Sequence, residues 1–234
     1  MLYYSNLRNL EDTPTVRKQF AIIGMGRFGS SVAKTLSQLG FEVLAIDHRE
    51  ETVQEVSAFV THAVQADSTD EEALRALGIR NFDVVVVAIG EDIQASILTT
   101  LILKEMGIAK IIVKAVNDLH GKVLKKIGAD KVVYPERDMG QRVAHHLISS
   151  NIIDYIELSA DYSIVEIKVS NQMIGKSLKQ LDIRAKYGCN VIAIKQNEKL
   201  IIPPSAEEPL RMDDILVIVG KNSDLQTFEV TFAE

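Results

Sequence analysis

The chain has 234 residues, 47% of them hydrophobic and 25% charged, with a formal net charge of −6, enough to bury one large core or two modest ones. The acidic balance argues against a nucleic-acid binder, which needs a basic face. One cysteine, Cys189, excludes an internal disulfide framework and a cysteine-rich zinc site, and fits a reducing cytoplasm.

Met1–Arg17 mixes tyrosines, asparagines and both charge signs without periodicity. It lacks the apolar centre of a signal peptide, so export is not expected and the segment reads as a loosely ordered arm. No later apolar run approaches the roughly 18 residues of a membrane span. From Phe20 to about Tyr134, strand and helix patterns alternate. The apolar run 20–23 enters Gly24-x-Gly26-x-x-Gly29, a helix pattern covers 28–39, and a strand at 42–46 ends at Asp47. In that order Gly24 permits a tight turn, Gly26 lets the backbone approach a phosphate, and Gly29 lets helix and strand pack closely. The helix N-terminus presents unpaired N–H groups to an anion, and Asp47 accepts hydrogen bonds from ribose hydroxyls. Strand, turn, helix, strand and acid together mark an adenine-nucleotide site.

Further strands are expected at 62–66, 83–89, 110–115 and 131–134, with helices at 50–58, 70–77, 93–106 and 118–127. Gly40, Gly78, Gly107 and Gly128 each follow a helical stretch, where a left-handed cap is wanted. Short apolar strands alternating with helices mean a parallel sheet covered on both faces. Residues 136–150 read as one more helix ending in a Ser-Ser-Asn junction, and a domain boundary is expected near 150. Beyond it, strands at 154–158, 163–169, 190–195, 199–202 and 215–219 surround a helix near 175–182, with a last helix from Ser223. The fold class is α/β: a Rossmann-type doubly wound parallel sheet followed by a smaller β-rich α/β C-terminal domain.

A dehydrogenase needs a proton-transfer residue facing the nicotinamide and a substrate pocket. His48 follows Asp47 at the adenosine end, where hydride chemistry does not occur. His62 opens a strand, His120 lies in an expected surface helix, and His145 and His146 lie in the connecting helix. None has a Ser/His/Asp, Lys/Tyr or metal-ligand spacing, so these histidines read as structural or solvated. Cys189 reads as a small buried residue. Charge near the phosphates stands where catalytic apparatus is missing. Arg27, inside the glycine turn, is either a solvated loop residue or a guanidinium fork for a terminal phosphate. Glu136, after Tyr134-Pro135, is either a helix-start carboxylate favoured by the dipole or an oxygen ligand for a divalent cation. Asp67, Ser68 and Thr69 either meet the adenine or form an N-cap cluster. Two rivals remain: a small NAD-dependent oxidoreductase, and a redox-sensing repressor, which would require a basic winged-helix segment.

The combination Phe20-Ala-Ile-Ile-Gly-Met-Gly-Arg-Phe28-Gly-Ser, Ile46-Asp47, Ala88-Ile89-Gly90, Gly128-Ala-Asp130 and Pro135-Glu-Arg-Asp-Met-Gly140 resembles the RCK domain. More narrowly, it is similar to the cytosolic regulatory subunit of bacterial Ktr/Trk potassium-uptake systems, over essentially residues 18–234. The resemblance implies a homodimer that assembles into an octameric ring on the inner face of the membrane, docked on a potassium-translocating subunit. It implies ATP favouring the conducting state and ADP the closed one, with NAD or NADH bound by some relatives. It places the nucleotide on Gly24, Gly26, Arg27, Phe28, Gly29, Asp47, His48, Asp67, Ser68, Ile89 and Gly90. Arg27 would reach the terminal phosphate, and Glu136 a divalent cation (Mg or Ca) at the dimer interface. In the C-terminal domain, Leu181-Asp-Ile-Arg184 followed by Asn190-Val-Ile implies cyclic di-AMP bound by Arg184 and Asn190, inhibiting transport. On spacing alone these two are an exposed helix-end arginine and a turn asparagine.

Overall fold

The computed structural model describes residues 18–148 and 152–232. The expected N-terminal arm and the Ser-Ser-Asn junction lie outside the described residues. The chain divides into two compact units between Glu136 and Arg137, so the connecting helix groups with the second unit, whereas the expectation placed the boundary near 150.

The first unit alternates β1 (Gln19–Ile23), α1 (Arg27–Gln38), β2 (Glu42–Asp47), α2 (Glu50–Ser57), β3 (His62–Gln65), α3 (Glu71–Ala76), β4 (Val84–Val87), α4 (Ile93–Glu105), β5 (Ile111–Lys114), α5 (Asp118–Lys126) and β6 (Lys131–Val133). The strands form one six-stranded sheet in the order β3-β2-β1-β4-β5-β6, and every neighbouring pair is parallel. Side chains alternate across a strand, so Ala21 and Ile23 enter the cluster containing Leu44, Ile46, Val85 and Val87. Ile22 enters the opposite cluster with Val43, Ala45, Val84 and Val86. Both faces are buried, which is why these strands read as continuous apolar runs. The strand order reverses at β1, between β2 and β4, and such a switch point opens a crevice at the strands' carboxyl ends.

The turn between β1 and α1 is the tightest point of the unit. Gly24 has φ +91, a conformation L side chains rarely adopt, and its N–H donates to the Ile46 carbonyl at 2.8 Å. A methyl group at Gly29 would overlap the Gly24 carbonyl oxygen, whereas one at Gly26 would meet nothing within 4 Å. The glycines therefore do different work: Gly24 and Gly29 build the turn, and Gly26 leaves its outer surface open.

The second unit holds α6 (Pro135–Ile148), whose first turn the division cuts, then β7 (Ile152–Glu157), β8 (Tyr162–Lys168), α7 (Leu178–Leu181), α8 (Ile183–Tyr187), β9 (Asn190–Gln196), β10 (Lys199–Ile201), β11 (Ile215–Lys221) and α9 (Asn222–Phe232). Its five-stranded sheet runs β10-β9-β11-β8-β7 and is antiparallel throughout. Val165, Ile167, Ile194, Leu216 and Ile218 pack with Met173, Phe228 and Phe232 on one face. Where one helix is expected near 175–182, two short ones form. Ser177 opens α7 with a reciprocal capping box to Gln180, and Asp182, at φ 49 in the left-handed region, ends it and starts α8. Cys189 is buried, as expected, and donates its thiol to the Tyr187 carbonyl at 3.3 Å. Burial, reinforced by the Asp224 charge, pushes the thiol pKa up to about 11.

The turn yields a contrast between two glycines. Gly29→Ala should lower unfolding free energy by about 1–3 kcal/mol, the usual cost of overpacking, while Gly26→Ala should leave it within about 0.5 kcal/mol of wild type. Urea denaturation of the two variants checks this, and equal losses would refute the assignment of roles.

Candidate nucleotide site

A cleft of about 990 Å³ opens at the carboxyl ends of the first unit's central strands. It gathers Gly24, Gly26, Arg27, Phe28, Asp47, His48, Asp67, Ser68, Ile89, Gly90 and Glu136. Gly29 lies beneath it, against the turn. Arg184, in α8, and Asn190, the first residue of β9, are exposed residues of the second unit and are not among the residues that line this cleft.

Asp47 is the structural centre of the site. It is 5% exposed, and its Oδ2 accepts the Met25 N–H at 2.7 Å. Its Oδ1 accepts the Arg49 N–H at 3.0 Å and Arg49 Nε at 3.4 Å, with His48 Nδ1 3.6 Å away. Ionised carboxylates offer about four acceptor positions, so one remains open. Ser30 completes the turn by donating its hydroxyl to the Met25 carbonyl at 2.7 Å. His48 is largely exposed, its side chain at 77%, on the rim of the cleft beside Asp47.

Beyond β3, Asp67 accepts both the Thr69 N–H at 2.8 Å and the Thr69 hydroxyl at 2.7 Å. These bonds hold its carboxyl below the usual range, with the His48 charge a lesser contribution. The N-cap of α3 is Asp70, which accepts from the Glu72 and Ala73 N–H groups, so residues 67–69 are not the cap and the loop is free to face a base. Ser68 is buried; its hydroxyl lies 2.9 Å from that of Thr99, which itself donates to the Ser68 carbonyl at 3.1 Å. The Ser68 hydroxyl is therefore the donor to Thr99, and the pair pins the loop after β3 to α4.

At the opposite end stands a group that the motif reading missed. Lys114, the last residue of β5, donates to Glu136 Oε1 at 2.6 Å. Glu136 sits in the first turn of α6 behind Pro135, where proline at the first helical position is favoured. Its carboxyl is held below the usual range by the Lys114 hydrogen bond first, then by the charges of Lys114 and Arg27. Arg27 itself is exposed and makes no ion pair with a described carboxylate. A signal for Lys114 was available: it is the first charged residue after Ile111-Ile-Val113, where a parallel strand delivers its end to the crevice. Among the described residues, no three His, Cys, Asp or Glu side chains cluster as a metal site. Glu136 is therefore one carboxylate, already paired.

The Val116 N–H, on the cleft rim, donates to His120 Nδ1 at 3.4 Å. Expected on a surface helix, His120 is only 3% exposed, because it is on the inward face of α5. Its Nε2 is buried without a hydrogen-bond partner, and burial pushes the imidazole pKa below its ordinary 6.5. The side chains of His145 and His146 lie outside the described residues.

A phosphate turn on β1, an acid closing β2 and a cleft at the switch point define a Rossmann-type nucleotide-binding protein. Residues 20–135 match the TrkA-N domain and residues 162–233 the TrkA-C domain. The chain is 54% identical over 92% of its length to the Ktr system potassium uptake protein C of Bacillus subtilis, and covers 97% of it. It is 50% identical over 91% of its length to the Ktr system potassium uptake protein A of the same organism, covering 96%. In fold it resembles the GsuK channel, with a TM-score of 0.53 at 23% identity over 96% of this chain and 40% of that one. The chain belongs to the family of Ktr potassium uptake proteins, with the two-domain RCK architecture. No helix of the described residues is long and apolar enough to cross a membrane.

The buried imidazole gives a pH dependence. The unfolded chain takes up this proton near pH 6.5, while the folded chain does so only at lower pH. Stability is therefore full above about 6.5 and declines as pH falls below it. His120→Asn keeps an acceptor near Nδ1 and removes the titration. Denaturant melts at about pH 7.5 and about pH 5.5 should show a smaller acid loss for this variant than for wild type. Identical losses would refute the assignment.

Proposed function

We propose that the chain is the cytosolic, nucleotide-sensing regulatory subunit of a Ktr-type potassium transporter, docked on the membrane-embedded translocating subunit. The carrying observation is the layout of one cleft: Asp47 at the adenosine end, open backbone donors at the glycine turn, and the cations Arg27 and Lys114 towards the far end. Family membership supplies the transport context. A homodimer assembling into an octameric ring is part of the reading. Its support is exposed apolar surface: Leu98, Leu101 and Leu119 on α4 and α5, and Met139, Val143 and Leu147 spaced along one face of α6, a kind of patch that marks association.

In this reading ATP favours the conducting state and ADP the closed one. A ligand shifts two shapes only by its difference in affinity for them, and moving 1:99 to 99:1 takes about 5.5 kcal/mol in all. Several sites in a ring divide that requirement. The terminal phosphate supplies the difference by engaging Arg27, which pairs with no carboxylate among the described residues. Glu136 would supply one oxygen to a divalent cation (Mg or Ca), and phosphate, water or a second copy would complete the set. Such a cation neutralises phosphate charge. NAD or NADH would fit the same dinucleotide turn. In this reading the protein acts by binding, as a sensor and not an enzyme: Asp47 and Asp67, the two carboxylates at the base of the cleft, are engaged by the backbone of its turn and loop. Cyclic di-AMP is assigned to the second unit at Arg184 and Asn190, whose exposure leaves a guanidinium free for phosphate.

Three measurements test this. In liposomes with the translocating subunit, Arg27→Ala should remove most of the ATP/ADP difference in potassium flux; an undiminished difference would exclude Arg27 from the mechanism. Calorimetric titration of the full chain with cyclic di-AMP should show binding weakened about tenfold or more by Arg184→Ala, the scale of a charge-assisted hydrogen bond; no heat from wild type refutes the second site. Hydride transfer followed by absorbance should be nil, and steady turnover would restore the oxidoreductase rival.

A further inference from the structure

The Lys114–Glu136 pair is lopsided. The Lys114 side chain is 13% exposed and that of Glu136 65% exposed, with 2.6 Å between Nζ and Oε1. The lysine stem runs beside Gly90, where an added methyl would lie 3.1 Å from Nζ and 3.4 Å from Cε. A side chain at 90 would therefore crowd the end of the lysine, which now lies against the bare backbone of Gly90. In the strand order β1-β4-β5, Lys114 stands two strand spacings, about 10 Å, from the glycine turn. That is the side away from Asp47, towards which a phosphate chain leaving the turn would extend.

A mostly buried ammonium group needs an anionic partner at all times, because an unpaired charge in a low-dielectric setting is costly. A mostly exposed carboxylate does not, since water solvates it when released, and an exposed pair contributes little on its own. A phosphate oxygen arriving at Lys114 therefore replaces one anion by another at the cation, and the displaced carboxylate returns to solvent. We infer that Lys114 is a phosphate-binding residue of the cleft and that Glu136 is its internal competitor, an exchange that favours nucleotides whose phosphate chain reaches β5. This inference rests on the nucleotide reading above and assigns a specificity-determining role within it. A chain that ends nearer the glycine turn leaves the pair closed, and a longer one opens it.

The test is calorimetric titration of the full chain with ATP and with ADP, in EDTA so that no divalent cation bridges Glu136 to phosphate. Lys114→Gln should weaken ATP tenfold or more, and ADP by less than half that factor, while Lys114→Arg should retain most of the ATP affinity. Glu136→Gln should strengthen ATP several-fold, because the competitor is gone. In the Lys114→Gln background the same Glu136→Gln change should lose most of that gain. Thermal melts of the ligand-free variants verify that each is folded. Unchanged ATP affinity in Lys114→Gln overturns the inference, as does an equal Glu136→Gln gain in both backgrounds, which would mean a general field effect and no exchange. If wild type binds neither nucleotide, the nucleotide reading itself fails; if it binds both and only these variants are silent, the fault lies with the exchange alone.

Discussion

The site depends on one buried carboxylate. Asp47 ends β2 yet bonds to the Met25 N–H inside the turn that follows β1, so neighbouring strands are tied at the point where phosphate would lie. Removing it would leave a buried backbone N–H unpaired, a cost of about 1–3 kcal/mol, and would release the turn. In the proposed reading the same group would offer its remaining acceptor capacity to a ribose. Turn geometry and sugar recognition would then share an anion, and a folded turn already implies an oriented acid.

Much of this was legible from the residues. Parallel strands buried on both faces need unbroken apolar runs, and Val84–Val87 and Ile111–Val113 are such runs, so the sheet could be read with small errors at strand ends. The glycine turn and Asp47 were readable because their roles are local: each is set by a backbone angle or by the end of a strand. All eleven motif residues assigned to the nucleotide apart from the underlying Gly29 line the observed cleft, together with Glu136.

What was not legible involves partners distant in sequence or a break in local rhythm. Lys114 and Glu136 lie on different elements and meet only when β5 and the start of α6 are placed together. Ser68 and Thr99 are likewise paired across the fold, and nothing in Asp67-Ser-Thr69 shows that the middle residue turns inwards. The reading of 67–69 as a cap competed with Asp70 one residue later, and Asp70 holds that place. The helical pattern near 175–182 hid a break, because Asp182 adopts a left-handed angle that aspartate tolerates better than most residues. The boundary differs for another reason: composition changes after residue 150, but packing changes within the first turn of α6.

Cys189, sealed beneath α9 and β11 with its proton held on a carbonyl, carries a practical consequence. Thiolate, and not thiol, is the nucleophile, so the native chain presents almost no sulfur to alkylating reagents at neutral pH. A cysteine placed on any exposed surface would be the dominant target for a maleimide dye or a spin label, with no background substitution needed. Distances between labelled sites can therefore be measured on an otherwise wild-type sequence.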